Sequence, residues 1–200
     1  MASSAHHKAK KALRRSGTAR ARELEADGVP RAQLSRLVAA GELQRLARGV
    51  YALPGYRGTE HSALLTVAKR APLAVFCLLT ALRLHGLTTQ APFEAWIAIG
   101  NKDHAPRLDY PPLRIVRFSA PSLAYGLQTM QVDGGALRVT SVAKTVADCF
   151  KFRNKIGLDV ALEALREARR SGKAGADELW RCARVDRVAN VMRPYLEATA

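Results

Sequence analysis

Between Val29 and Gly55 the apolar positions follow two rhythms, first helical and then strand-like. Leu34, Leu37 and Val38 recur at helical spacing, which predicts a short helix with Pro30 in its first turn. Ala32, Ser35, Arg36 and Ala39 fall on the other face, with Arg31 and Gln33 on its flanks. Gly41 stands where a helix end needs a left-handed residue. Beyond it, Leu43 to Leu46 and Val50 to Leu53 read as two short strands, joined by Ala47-Arg48-Gly49 with its glycine at the position that takes positive φ. A helix followed at once by a basic-tipped hairpin is the layout of a winged helix-turn-helix. Small side chains on the open helix face let a backbone approach a DNA groove, and the long ones reach base edges. The layout therefore assigns Arg31, Gln33, Ser35 and Arg36 to the major groove and Arg45 and Arg48 to the wing.

Upstream, residues 1–12 are small, polar and basic and read as a disordered tail. Lys8, Lys10, Lys11, Arg14 and Arg15 are candidates for an arm over DNA phosphates, with a frayed tail as the alternative. Thr18 to Ala26 reads as a short helix capped by Thr18, with Leu24 inward and Arg20 and Arg22 outward toward phosphates. A winged helix also needs a helix upstream of this one, which would have to come from about Lys8 to Arg15, where Leu13 is the one large apolar residue.

Downstream, the pattern predicts a helix over 60–71 capped by Thr59, a strand over 73–77 and a helix over 78–85 closed by Gly86. Strands follow over 94–99 and 113–118, separated by a polar loop, then one helical turn at 121–125. Leu127 to Val132 and Ala136 to Val139 form a hairpin around Asp133-Gly134-Gly135. From Ser141 onward the chain is helical. Val142, Val146, Cys149 and Phe150 make one stripe, and Leu158, Leu162 and Leu165 the next. Two further helices cover about 176–183 and 187–195, the last capped by Asp186 and kinked or restarted by Pro194. The expected fold class is α+β, with a winged helix-turn-helix at 13–57 and a larger mixed α/β domain at 58–200 that ends in a helical bundle.

Charge sharpens the picture. The chain carries a net charge of +15, and 23 of its 32 basic residues are arginine, which favours phosphate and base-edge recognition over mere solubility. Residues 1–58 hold 12 basic and 4 acidic side chains, net +8. The N-terminal part is the electrostatic footprint. Charge alone would suit RNA or a membrane surface equally well. An apolar run of 18 residues is absent, so no transmembrane helix is expected, and the basic N-terminus lacks the apolar core of a secretory leader. Cys77, Cys149 and Cys182 are odd in number and sit in apolar patterns, which suits buried free thiols in a reducing cytoplasm.

Catalytic constellations are missing from the sequence. There is no Gly-Ser turn followed by paired carboxylates, as a nucleotidyltransferase needs for its magnesium ions. Phosphate-cradling glycine loops and a nucleophile elbow are absent too. Asn101-Lys102-Asp103 with Asp109 is the nearest thing to a metal cluster, against the plainer reading of a solvated loop. His85 reads as a helix-end histidine and Cys149 as a packed thiol. Accordingly no catalytic residue, metal or cofactor is expected. Lys144, Asp148 and Lys151 lie together on what reads as the polar side of their helix, as a salt-bridged face or a functional surface.

The run RELEADGVPRAQLSRLVAAGEL, the Arg48 to Gly55 stretch, Leu78 to Leu82 with His85-Gly86-Leu87, Trp96 to Ile99, and Val139 to Phe150 together resemble the AbiEi family of antitoxins of type IV toxin–antitoxin systems. The likeness runs from about Thr18 to about Tyr195. It implies a DNA-binding antitoxin that represses its own operon at an inverted-repeat operator on double-stranded DNA. It also implies that the C-terminal domain counters a nucleotidyltransferase toxin without a stable complex, which makes Lys144, Asp148 and Lys151 a candidate antitoxin surface. A winged-helix regulator outside any toxin–antitoxin locus is the alternative, and a nucleic-acid enzyme with a degenerate site near Asp103 and Asp109 is a third reading.

Overall fold

In the computed structural model, residues 2–47, 49–56, 61–90, 92–108 and 111–199 are described. They divide into two compact units. The first comprises residues 1–73 with 106–112 and 130–137, and the second 74–105, 113–129 and 138–200.

The first unit begins with helix α1, Ala2–Ser16. The stretch is rich in Ala, Lys, Leu and Arg, all good helix formers, and contains no Gly or Pro before Gly17. Ala9 and Leu13 are buried one turn apart, with Ala5 and Ala12 packed beside them. Residues 2–12 are thus a helix rather than a disordered tail, because alanines supply its buried face where large apolar residues are lacking. At Gly17, with φ +68°, the helix stops.

Thr18 to Arg20 then forms strand β1, where the pattern had predicted the start of a helix. Pairing decides the matter: β1 runs antiparallel to β3, with Thr18 opposite Ala52 and Arg20 opposite Val50. Thr18 is a fully buried strand residue, not a cap. Helix α2, Ala21–Ala26, and helix α3, Arg31–Ala39, follow. Pro30 is the residue just before α3 rather than within its first turn. Strands β2, Gln44–Ala47, and β3, Val50–Ala52, complete a three-stranded sheet of order β1-β3-β2. Leu24, Val29, Leu34, Leu37 and Leu43 join Leu13 in the core. Helix α4, Ser62–Arg70, packs on β1 and β3 and belongs to this unit, whose first segment runs to Leu73. Thr59, the expected cap of α4, lies outside the described residues.

A five-stranded sheet organises the rest, in the order β6-β5-β4-β8-β7. Its strands are β4, Val75–Phe76, β5, Ala95–Gly100, β6, Leu113–Phe118, β7, Leu127–Val132, and β8, Gly135–Thr140. β5 and β6 run parallel over six residue pairs, from Ala95–Leu113 to Gly100–Phe118. β4 is antiparallel to β5 and parallel to β8. Helices α5, Leu78–Leu84, and α6, Ala120–Ala124, sit between strands. His85 caps the end of α5, and its Nε2 lies 2.7 Å from the Thr140 carbonyl.

Helix α7, Val142–Lys151, is the centre of the second unit. Ser141 caps it by accepting the Lys144 N–H at 3.3 Å. Every residue from Ala143 to Phe150 is buried. Helices α8, Arg153–Ile156, α9, Leu158–Arg170, α10, Ala176–Val185, and α11, Ala189–Glu197, form the bundle, with α9, α10 and α11 packed against α7. Along α9 the buried stripe is Ala161, Ala164, Leu165 and Ala168, while Leu158 is 37% exposed. Alanine lets two helices approach closely, so the buried stripe differs from the leucine stripe that the spacing predicts. Pro194 lies inside α11 without dividing it.

Gly126 joins α6 to β7 with φ +64°, and a Cβ there would stand 2.8 Å from Lys144 Cβ. Gly126→Ala adds left-handed strain to overpacking and is expected to cost about 2–4 kcal/mol. The check is the urea midpoint at unchanged m-value.

Candidate nucleic-acid interface

The helix α3 is held from below by Leu34 and Leu37, both buried against α1 and α2. That anchoring turns Arg31, Ser35 and Arg36 outward, with Gln33 half-buried at the edge. Arg31 is not idle: its Nε lies 2.8 Å from Glu25 Oε1. The pair is largely solvated and contributes at most about 1 kcal/mol, so releasing Arg31 from it costs little. Ser35 Oγ donates to the Arg31 carbonyl at 3.4 Å. Arg36 projects from the exposed face.

On the hairpin, Arg45 is exposed opposite Tyr51. Arg48 lies outside the described residues, as does the side chain of Arg15. Gly49, with φ +77°, accepts the Ala21 N–H at 2.9 Å and so ties the wing loop to the start of α2. Along α1, Lys8, Lys11 and Arg14 are exposed, whereas Lys10 Nζ is drawn 3.2 Å from Glu42 and His6 contacts the same carboxylate. Arg22 is exposed on α2. Arg20 is half-buried: its backbone N–H donates to Glu23 Oε2 at 2.7 Å and its Nη2 to the Arg70 carbonyl at 3.4 Å. The order α1-β1-α2-α3-β2-β3 is that of a complete winged helix.

Residues 9–54 match the model of a family described as transcriptional regulator, AbiEi antitoxin. Over these residues the winged helix is similar to the AbiEi family. No curated protein matches the chain in a sequence search. The AbiEi match runs from the second half of α1 to the end of the wing, and the family is described as one of transcriptional regulators. Among the described residues no helix is long and apolar enough to cross a membrane.

Outside the AbiEi match, the candidate surface on α7 needs correction. Lys144 and Asp148 are fully buried, and only Lys151 reaches the exterior. Lys144 Nζ contacts Asp148 Oδ1 and stands 3.0 Å from Asp186 Oδ2. Ser122 Oγ donates to Asp186 Oδ1 at 2.6 Å. Asp186 is therefore a buried partner of Lys144, not the cap of the last helix, which Val188 precedes. Burial alone would lower the Lys144 pKa, but Asp148 and Asp186 outweigh it and hold the ammonium above its ordinary value. Burial pushes the Asp148 carboxyl well above the usual carboxylate range, against the pull of Lys144. One clue was in the sequence: apolar residues surround Lys144 and Asp148 on all sides of the helix, and a helix apolar all round is buried. Nothing local could have named Ser122 or Asp186, which are distant in the chain.

Among the described residues, Asp103 and Cys149 have structural surroundings of their own. Asp103 Oδ2 accepts the Gly100 N–H at 2.8 Å, closing a turn. Arg117 Nη1 donates to the carbonyls of Gly100, Asn101 and Asp103 over the same turn. Asp109 lies outside the described residues. Burial pushes the Cys149 thiol well above its ordinary range, which disfavours the thiolate a nucleophile needs.

Lys144→Met strands two buried carboxylates and is expected to cost about 3–5 kcal/mol. Because folding raises the Lys144 pKa, its contribution is complete below the ordinary lysine value of 10.5 and is lost as pH rises through the folded value. Urea unfolding across alkaline pH should show this loss in the wild type and a flatter profile in the variant.

Proposed function

We propose that this chain is a cytoplasmic, DNA-binding antitoxin of the type IV class, which represses its own operon at an inverted-repeat operator. The observation that carries the reading is the winged helix itself, with Arg36 on an open face of α3 and a basic α1 beside it. In this reading Arg31, Gln33, Ser35 and Arg36 meet base edges, since long polar side chains on a rigid helix suit the major-groove code. Arg45 and Arg48 on the wing, and Lys8, Lys10, Lys11, Arg14, Arg15, Arg20 and Arg22, neutralise phosphates. Lys10 must leave Glu42 to do so. The partner gene product is a nucleotidyltransferase toxin, countered without a stable complex. Burial of Lys144 and Asp148 removes them as an antitoxin surface, so that role falls to other residues of the second unit.

A second reading is favoured by the extent of the family match, which covers the regulatory domain alone. In it the chain is a winged-helix regulator outside any toxin–antitoxin locus. An adjacent nucleotidyltransferase-like gene, and rescue of that toxin's growth arrest by this chain, support the antitoxin; rescue failing beside intact operator binding supports the regulator.

The deciding experiment is binding of the purified chain to duplex DNA from upstream of its own gene and to a scrambled duplex, across a salt series. Preference for the upstream duplex at physiological salt is expected. Arg36→Ala should cost about 1–3 kcal/mol on the upstream duplex and blur the preference, whereas equal loss on both duplexes would make Arg36 a phosphate contact.

A further inference from the structure

Outside the AbiEi match, the C-terminal end of α4 brings two cations, Lys69 and Arg70, against the strand that starts the helix-turn-helix. Lys69 Nζ donates to the Thr18 carbonyl. Arg70 offers its backbone carbonyl to Arg20 Nη2, which leaves its own guanidinium unspent on that contact. Arg20 itself stands opposite Val50 at the base of the wing and directly precedes Ala21, whose N–H holds the wing loop through Gly49. The end of α4 is thus connected, through Arg20, to the start of α2 and the wing, the edge of a helix-turn-helix that crosses a DNA backbone.

Charge in this corner is poorly balanced. Burial lowers the Arg20 pKa, Arg22 and Arg70 lower it further, and Glu23 alone opposes them. The Glu23 carboxylate is engaged with the Arg20 backbone N–H. Arg20 Nη1 is a buried nitrogen with no hydrogen-bond partner among the described residues. Arg20 feels the like charges of Arg22 and Arg70 against the single carboxylate of Glu23, a balance that an anion would relieve, and a guanidinium presents paired donors that match phosphate oxygens.

We propose that Arg20, Arg22 and Arg70 form one phosphate-binding cluster, and that α4 is a DNA-contacting element of the domain. Arg20 is the pivot, Arg22 and Arg70 flank it, and Lys69 is a positioning residue that ties α4 to β1. The contact reads no sequence; it fixes how the domain sits on the duplex. The inference rests on the DNA-binding reading above.

Arg70→Gln tests it, because the substitution keeps the carbonyl that Arg20 uses. Binding to the upstream and scrambled duplexes is measured across a salt series for the wild type, Arg70→Gln and Arg70→Lys, with urea midpoints as the control for folding. Arg70→Gln should lower the slope of log affinity against log salt by about 0.9 and weaken both duplexes by the same factor. Arg70→Lys should restore most of the slope. Binding by the wild type with an unchanged slope in Arg70→Gln overturns the cluster and leaves the DNA-binding reading standing. A wild type that binds neither duplex overturns both.

Discussion

The pairing of β1 with β3 is the constraint on which the N-terminal domain depends. Three residues, Thr18 to Arg20, add a third strand to what would otherwise be an isolated hairpin. Two-stranded hairpins are marginal in water, and a third strand with an apolar face is what makes such a sheet persist. The same pairing places Arg20 at the base of the wing and sets the direction in which α2 leaves the sheet. The start of α2, the wing and the position of Arg20 are therefore tied together by one short strand. Lys69 reinforces it from α4 by bonding the Thr18 carbonyl, which ties a segment beyond the family match to the same edge.

The second unit solves a different problem. Helix α7 is buried on every side, yet it carries a lysine and an aspartate. Burying an ammonium is tolerable only with opposite charge and hydrogen bonds around it. Asp148 comes from the next turn, Asp186 from the link between α10 and α11, and Ser122 from α6. Lys144 Nζ also sits 4.6 Å from the centre of the Phe118 ring, which stacks on Phe152 at 5.6 Å. One side chain thus cross-links α6, α7, β6 and the α10–α11 turn. An ionic centre of this kind adds less net stability than an apolar core would, but removing one partner is severe, so it holds a single arrangement of the bundle in place.

For the interface, a good deal was legible before any coordinates. Leu34, Leu37 and the residues between them form a local pattern, and a helix responds to local pattern. Gly41 and Gly49 mark positions that require positive φ, and both have it. The β7–β8 turn at Asp133-Gly134 was legible for the same reason. Helix α1 and strand β1 were not, because their evidence lies elsewhere in the chain. Alanines in α1 become a buried face only when α3 packs on them, and Thr18 becomes a strand residue only when Ala52 stands opposite it. Arg70 escaped notice because its significance comes from Arg20, fifty residues earlier.

From the sequence alone came the fold class, helix α3 with its exposed arginine face, the hairpin, the basic bias of the N-terminus and the likeness to AbiEi antitoxins. These are properties of periodicity, composition and turn chemistry, which act over a few residues. Tertiary structure decided whether each polar side chain faces water or another residue. It moved Lys144 and Asp148 from a supposed surface into the core, gave Asp186 to them as a partner, and joined Arg70 to Arg20. The physical reason is that a charge's environment is set by what packs around it, and packing brings together residues that the order of the chain keeps apart.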